Sequence, residues 1–496
     1  MSDNNAYASL LAHLKKTNAL SQAAGVISWD QETMMPKNGA PARAEQLAAL
    51  ASIVHERNCD PKIADWCAEI NESKLDLVGK ANLREAKRTH KRATRIPARL
   101  AEEIARATAL GQGIWAKARA AENVNDFLPT LEEILKLRRE EAAVLSEAGD
   151  DLYDALLDDY EPEMKTAPLA ELLGRLRPHL TSLREKITDS GKKIKPLKGD
   201  FNDAGQMEMA RRLASVFNYN WDSGRVDKAV HPFSSGYRSD SRITTRVVLD
   251  HVFDCMYSTV HEVGHANYEE GRDPAMDLMP AGGYASMGIH ESQSRMLENQ
   301  IGRSRPFMDW LYPQMLEVFG DIGVSSPDEL FAVVNEVTPG YIRTEADEVH
   351  YNLHVMMRFD LELAMIRGDL QVGDLEGAWN ERYLEDFGRA VDKPSNGVLQ
   401  DVHWSCGLFG YFPTYSLGNI FAGEIFATLN GAISDLDGKI SSGNLDEIST
   451  WLSREVHQHG HVYSAQDLMQ KICGKAPDEL ALVKYLDAKF GGLYGI

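Results

Sequence analysis

HVFDCMYSTVHEVGHANYEE, residues 251–270, decides how this chain is read. The segment predicts one helix from about His251 to Glu270, stopped by Gly271 in the C′ position. Inside it, His261-Glu262-Val263-Gly264-His265 forms an H-E-x-x-H pattern. Four residues turn an α-helix through about 400°, so the two imidazoles lie about 40° apart on one face, within reach of one ion. Glu262 is rotated about 100° from His261, too far round to ligate beside it but close enough to take a proton from an attacking water. A catalytic zinc takes three protein ligands and keeps a fourth position open. His290-Glu291-Ser292 opens a second helical segment downstream. Glu291 is the candidate third ligand and His290 its rival, because adjacent helical residues point about 100° apart and only one can face the metal.

Working outward, the texture changes just before this helix. Arg225–Val230 and Ser241–Val248 alternate or enrich β-branched residues and predict a small sheet. Elsewhere the 3.6-residue period dominates. Tyr7, Leu10, Leu11 and Leu14 recur at helical spacing, as do Leu47, Leu50, Ala51 and Val54. Pro97 stands at a first helical position before the run to Ala121, and Leu131–Leu145 and Leu169–Ile187 repeat the signal. Gly149-Asp150 and Glu161-Pro162 mark breaks. With no fixed-period repeat and no linker, the expectation is a mainly α protein, a single domain over residues 1–496, with a small β-sheet near the metal-binding helix.

Composition excludes several classes. Of 496 residues, 43% are hydrophobic and 26% charged, which rules out disordered, collagen-like and disulfide-scaffold chains. A net charge of −21 repels phosphate backbones and anionic membranes, so neither nucleic acid nor membrane is expected as a partner. The five cysteines form no C-x-x-C pair, and none lies within five residues of His261, His265 or Glu291. That argues for a reducing compartment and against a closed, Cys-rich structural zinc site. The polar start, Met1 to Ala6, and the lack of an 18-residue apolar run predict a soluble, cytoplasmic protein.

Further motifs stand in order along the chain: Trp29-Asp30-Gln31-Glu32-Thr33-Met34-Met35-Pro36, His231-Pro232-Phe233, Asp240-x-Arg242-x-Thr244, His261 to His265, His290-Glu291-Ser292-Gln293, Ile342-Arg343 with Ala346-Asp347, and Gly397-x-x-Gln400-Asp401-x-His403-Trp404. This ordered set resembles the thermostable carboxypeptidase Taq family of metallocarboxypeptidases over essentially the whole chain. The resemblance implies a mostly helical body divided by a deep active-site cleft and a homodimer. It also implies removal of single residues from peptide C-termini with one Zn2+ or Co2+ per chain.

Carried over by position, the resemblance makes His261, His265 and Glu291 the metal ligands and Glu262 the general base and acid. Substrate peptides with a free C-terminal carboxylate suit a planar arginine fork. Arg343 matches the family's carboxylate-binding position, and Arg242 is the second choice. Tyr415 resembles a hydroxyl that steadies the tetrahedral oxyanion, with Tyr411 as its alternative. His231, His403 and Gln400 are further candidates for the catalytic and substrate-binding set. Arg295 follows Glu291 by four residues, where some other zincins of this ligand type place an Asp, so Asp347 or Asp401 is expected to brace the ligands. His457-x-His459-x-His461 is expected to be solvated surface, because i, i+2, i+4 spacing on a helix scatters the rings. An oligoendopeptidase cutting internal bonds is the competing enzyme class, since H-E-x-x-H alone does not choose between the end and the middle of a peptide.

Overall fold

Three short strands lie beside the H-E-x-x-H helix and support it. The computed structural model describes residues 3–496, and among them the strands are β1 (Val226–Lys228), β2 (Ser234–Tyr237) and β3 (Asp240–Thr245). The order is β1-β3-β2, with β1 parallel and β2 antiparallel to β3. The sheet is smaller than its sequence pattern and includes a strand that the pattern does not announce. Ser234-Ser235-Gly236-Tyr237 has no β-branched residue; its extended form comes from pairing Tyr237 with Asp240 across a two-residue turn. Gly236 is required there, since its φ is +132° and a Cβ would lie 1.8 Å from the Asp240 carbonyl oxygen.

β3 is the central strand, and Ile243, Thr244 and Thr245 on it are fully buried. Thr245 Oγ1 donates to the Cys255 carbonyl at 3.0 Å and lies 2.9 Å from Ser258 Oγ, which ties the strand to the first turns of the metal helix, Val252–Glu270. That helix is buried on nearly every side, by Cys255, Met256, Val260, Val263 and Ala266 among others. Each large apolar side chain so buried stabilises the packing by about 1.5–3 kcal/mol. Gly271 ends the helix as expected, but with φ −72°, so no left-handed cap calls for glycine. Close packing does: a Cβ there would lie 2.5 Å from the His457 ring.

Two compact units divide the chain. The first gathers the residues up to Thr94, Ile194–Asn335 and Phe421–Pro477; the second gathers Arg95–Lys193, Glu336–Ile420 and Asp478–Ile496. The first holds the sheet, the metal helix and the following helix, Met287–Arg295, whose first turn is capped by Ser286 Oγ accepting from Ile289 N–H at 3.0 Å. It also holds Asp3–Thr33 and Ala40–Asn58, the helices announced by the two leucine-rich stripes; Leu10 and Leu14 are buried, whereas Ala40–Asn58 buries no residue fully. At the centre of the second unit runs Glu348–Arg367, capped by Asp347 Oδ1 accepting from Val349 and His350 N–H and ended by Gly368 at φ +90°. Around it pack Leu128–Leu145, Leu152–Leu157 and Thr166–Ser190. Among the described residues, no helix is long and apolar enough to cross a membrane.

Candidate active site

The ligand atoms of His261, His265 and Glu291 all lie within 4.8 Å of one another. Successive turns of the metal helix supply the imidazoles, whose Nε2 atoms stand 3.6 and 3.5 Å from Glu291 Oε2. Arg295 Nε donates to the other oxygen, Oε1, at 2.7 Å and so fixes the carboxylate with Oε2 toward the histidines. Burial would raise the Glu291 carboxyl, but Arg295, joined by the two imidazoles only when they are protonated, outweighs it and holds the group well below the usual carboxylate range. Two imidazoles and an ionised carboxylate are a donor set that fits one divalent cation with a position left open.

Both imidazoles are oriented from behind by groups other than the expected Asp347 and Asp401. His261 Nδ1 donates to Glu298 Oε2 at 2.9 Å, and Glu298 is held in turn by Arg295 and Arg303. His265 Nδ1 meets His290 Nδ1 at 2.5 Å, while His290 Nε2 meets Glu269 Oε1 at 3.0 Å. Glu269 pairs with Arg272 through Oε2 and accepts at Oε1, so His290 Nε2 carries the hydrogen. Burial, then His265 and Arg272, pushes the His290 pKa well down, so the ring is neutral and its Nδ1 accepts. His265 therefore carries its hydrogen on Nδ1 and presents a bare Nε2 toward Glu291. His290, the rival third ligand, stands behind a ligand instead. Asp347 accepts from His350 Nδ1 at 2.7 Å, and Asp401 pairs with Arg343 and Arg358; both belong to the second unit.

Glu262 is 6% exposed, and its carboxylate makes no hydrogen bond or ion pair among the described residues. Burial pushes its carboxyl up to about 7, with Glu291 and Glu298 adding to the rise and His265 opposing it. Gly264, one of the unspecified positions of H-E-x-x-H, has a structural duty. A Cβ there would lie 2.4 Å from Ser294 Cα, so glycine is what lets the Glu291 helix approach the metal helix. Glu298 sits on a π-helical continuation, Met296–Gly302. Its spacing of seven from Glu291, two turns on one face, is the signal that could have found it.

A second cluster forms within the second unit. Arg343 is 4% exposed; its Nε and Nη2 donate to Asp401 Oδ1 at 3.1 and 3.0 Å, and its Nη1 donates to the Tyr351 hydroxyl at 3.2 Å. The guanidinium carbon stands 4.8 Å from the Tyr415 ring centroid. His403 Nε2 lies 3.4 Å from the Tyr415 hydroxyl, and the Tyr411 ring packs edge-on to Tyr415 at 5.3 Å. Burial, then Arg343, pushes the His403 pKa down to about 3. Gln400 is engaged with backbone, accepting from Arg343 N–H at 3.0 Å and donating to the Tyr341 and Asn396 carbonyls. The structure thus gathers Arg343, Gln400, His403, Tyr411 and Tyr415 in one place.

Arg242 and His231 belong to the first unit and lie outside the hydrogen-bond network of the metal ligands. Arg242 grips Asp240 through Nε and Nη2 at 2.6 and 2.8 Å, with its guanidinium 4.4 Å from the Trp29 ring centroid. His231 is exposed on the β1–β2 connection. The expectation of solvated surface is overturned for His457 and His461, while His459 is half-buried. His457 is 4% exposed with Nε2 2.9 Å from Gln293 Oε1, and His461 is 7% exposed beside Glu85. Their segment is a single 3-10 turn followed by Gly460 at φ +48°, so helical scatter does not apply.

A helix-borne H-E-x-x-H pair beside a downstream glutamate, in a mainly helical chain, is the arrangement a metallopeptidase needs. The chain belongs to the carboxypeptidase Taq (M32) metallopeptidase family, whose model matches residues 9–490, and is a metallocarboxypeptidase. It is 38% identical to thermostable carboxypeptidase 1 of Thermus thermophilus over 100% of both chains. Thermostable carboxypeptidase 1 of Pyrococcus furiosus is 32% identical, with 98% of this chain and 99% of the relative covered. The solved structure of Trypanosoma cruzi metallocarboxypeptidase 1 superposes with a TM-score of 0.95 at 32% identity, covering 98% of this chain and 99% of that one.

Proposed function

We propose that this metallocarboxypeptidase releases single amino acids from the C-termini of peptides, with Glu262 as general base and acid. The observation that carries the reading is the convergence of His261, His265 and Glu291 beside an uncommitted, buried Glu262 carboxylate. When His261, His265 and Glu291 hold a divalent cation, Zn2+ or Co2+, it supplies the Lewis acidity that polarises the scissile carbonyl and acidifies water. Glu262 takes the proton of the attacking water on its carboxylate and returns it to the leaving amine. Arg343 recognises the terminal carboxylate, with Arg242 as the second candidate, and Tyr415 steadies the oxyanion, with Tyr411 as its alternative. His231, His403 and Gln400 complete the set. These roles rest on motif positions, and for Arg343, His403, Tyr411 and Tyr415 also on their clustering. Residues 1–496 act as one catalytic domain in a cytoplasmic homodimer; the single domain rests on the lack of a linker, the compartment on the cysteine usage and polar start, and the homodimer on the family likeness.

Digestion of a peptide mixture, read by mass spectrometry with and without chelator, tests this. Ladders shortened from the C-terminus should vanish on chelation and return with Zn2+ or Co2+. Amidated peptides should resist; cleavage of them at internal bonds would instead indicate an oligoendopeptidase. Glu262→Gln should bind the metal and turn over about 100-fold to 10,000-fold more slowly. Near-normal rates in that variant would refute the base assignment.

A further inference from the structure

Glu362 lies in the middle of the helix Glu348–Arg367 and is 0% exposed. Its Oε1 accepts from Trp404 Nε1–H at 2.8 Å, and its Oε2 accepts from Gly410 N–H at 3.1 Å and from the Tyr153 hydroxyl at 2.7 Å. Trp404 directly follows His403, and Gly410 directly precedes Tyr411. The two oxygens of one buried carboxylate therefore grip the two ends of one loop. From the other side the loop is confined by Leu156 and Leu157, whose backbone would lie 2.7–2.9 Å from a Cβ at Gly410, where φ is +86°. Trp404 also stacks on Phe409 with ring planes 10° apart.

We propose that Glu362 is a positioning residue for substrate binding, stapling residues 403–411 so that His403 and Tyr411, and Tyr415 just beyond them, are held in one arrangement. The inference rests on the proposed substrate role of that cluster. Its physical basis is the count of donors. Trp404 Nε1–H and Gly410 N–H can only donate, and they approach different oxygens. A carboxylate accepts at both, and a protonated carboxyl does so too when its hydrogen turns to the Tyr153 oxygen. A carboxamide accepts at one and must turn its NH2 toward the other donor, whichever way it is flipped, leaving one end of the loop unbound. Tyr153 can reverse its hydroxyl and imposes no such conflict.

The test is a comparison of wild type, Glu362→Gln, Trp404→Phe and the double variant, using a peptide with a free C-terminus and recording KM, kcat, metal content and thermal unfolding. Glu362→Gln should raise KM about tenfold, leave kcat within threefold and keep full metal content. Adding Trp404→Phe removes the donor that the amide opposes, so the double variant should recover at least half of that loss on a logarithmic scale. An unchanged KM, or a kcat that falls only with the folded fraction, overturns the role, as does a double variant no better than the product of the single ones. Should Glu362→Gln not fold, Trp404→Phe alone, which frees one end, should raise KM about threefold, and an unchanged KM again overturns the role. A wild type that releases no C-terminal residue would instead refute the proposed function, so the two failures are distinguishable.

Discussion

Glu269→Gln, an isosteric change two residues removed from any metal ligand in the hydrogen-bond chain, should weaken metal binding by about tenfold. Glu269 uses Oε2 for Arg272 and Oε1 for His290 Nε2–H. A glutamine must keep its only oxygen on the buried guanidinium, since opposing NH2 to Arg272 would forfeit a charged hydrogen bond worth about 1.5–3 kcal/mol. Its NH2 then faces His290 Nε2, which must become the acceptor, and the His290 hydrogen moves to Nδ1. His265 Nδ1 loses its acceptor, and the favoured tautomer of His265 now carries hydrogen on Nε2, the atom that faces Glu291. Ligation requires reversing the whole chain. The orienting partners of metal-ligating histidines are typically worth 10-fold to 100-fold in affinity, about 1.4–2.7 kcal/mol. Competition against a chromogenic chelator at neutral pH measures the change, with circular dichroism confirming the fold. Replacing Arg272 by Met as well frees the glutamine to turn its oxygen to His290, so the double variant should bind metal more tightly than Glu269→Gln. Affinity within twofold of wild type in Glu269→Gln would show that the tautomer chain does not govern His265.

Gly264→Ala should destabilise the first unit by about 1–3 kcal/mol, because the added methyl meets the Ser294 backbone, which cannot swing aside as a side chain does. Chemical denaturation reads this, and a loss below 0.5 kcal/mol on the order expected of surface changes would contradict it. His457 is held neutral by burial, its pKa depressed to about 3 against about 6.5 unfolded. Below about 6.5 the unfolded chain binds the proton and the folded chain does not, so stability falls as pH drops toward 3. The limiting slope is about 1.4 kcal/mol per pH unit. His457→Gln should flatten the pH dependence of unfolding between pH 6 and 4; an unaltered slope would remove His457 from the account. The net charge of −21 should disfavour peptides ending in Asp or Glu, and their kcat/KM should gain on neutral peptides as salt rises from about 10 to 200 mM.

Legibility in the sequence followed the range of the interactions. The H-E-x-x-H face and the helix at Glu291 were readable because helical geometry fixes relative direction within a few residues. The β2 strand was not, since Ser234 to Tyr237 are extended by what they pair with rather than by their own preference. The braces of the ligands were misplaced for a similar reason. Asp347 and Asp401 stand in conspicuous motifs, yet each is occupied by a nearer cation or ring, whereas Glu298 and Glu269 carry no motif and act through folded proximity. Glu269 does lie four residues after His265, on the same face, so helical spacing alone marks it. The burial of His457 and His461 is not legible from helical spacing, because the chain makes a single tight turn there.

Charge balance ties the metal centre together. Glu262, Glu269, Glu291 and Glu298 are all buried, and the guanidiniums that pair with this group are those of Arg272, Arg295 and Arg303. Each guanidinium is committed: Arg272 to Glu269, Arg295 to Glu291 and Glu298, Arg303 to Glu298. Glu262 is the carboxylate left over, and its raised pKa follows from burial and from Glu291 and Glu298 nearby. Among the described residues, four carboxyl groups against three guanidiniums make a pocket that would favour one further cation, and His261, His265 and Glu291 are the group that could hold it. The same shortage leaves Glu262 without an ion-pair partner, which is what its proposed role in proton transfer requires. A fourth guanidinium aimed at Glu262 would satisfy the pocket and abolish both properties.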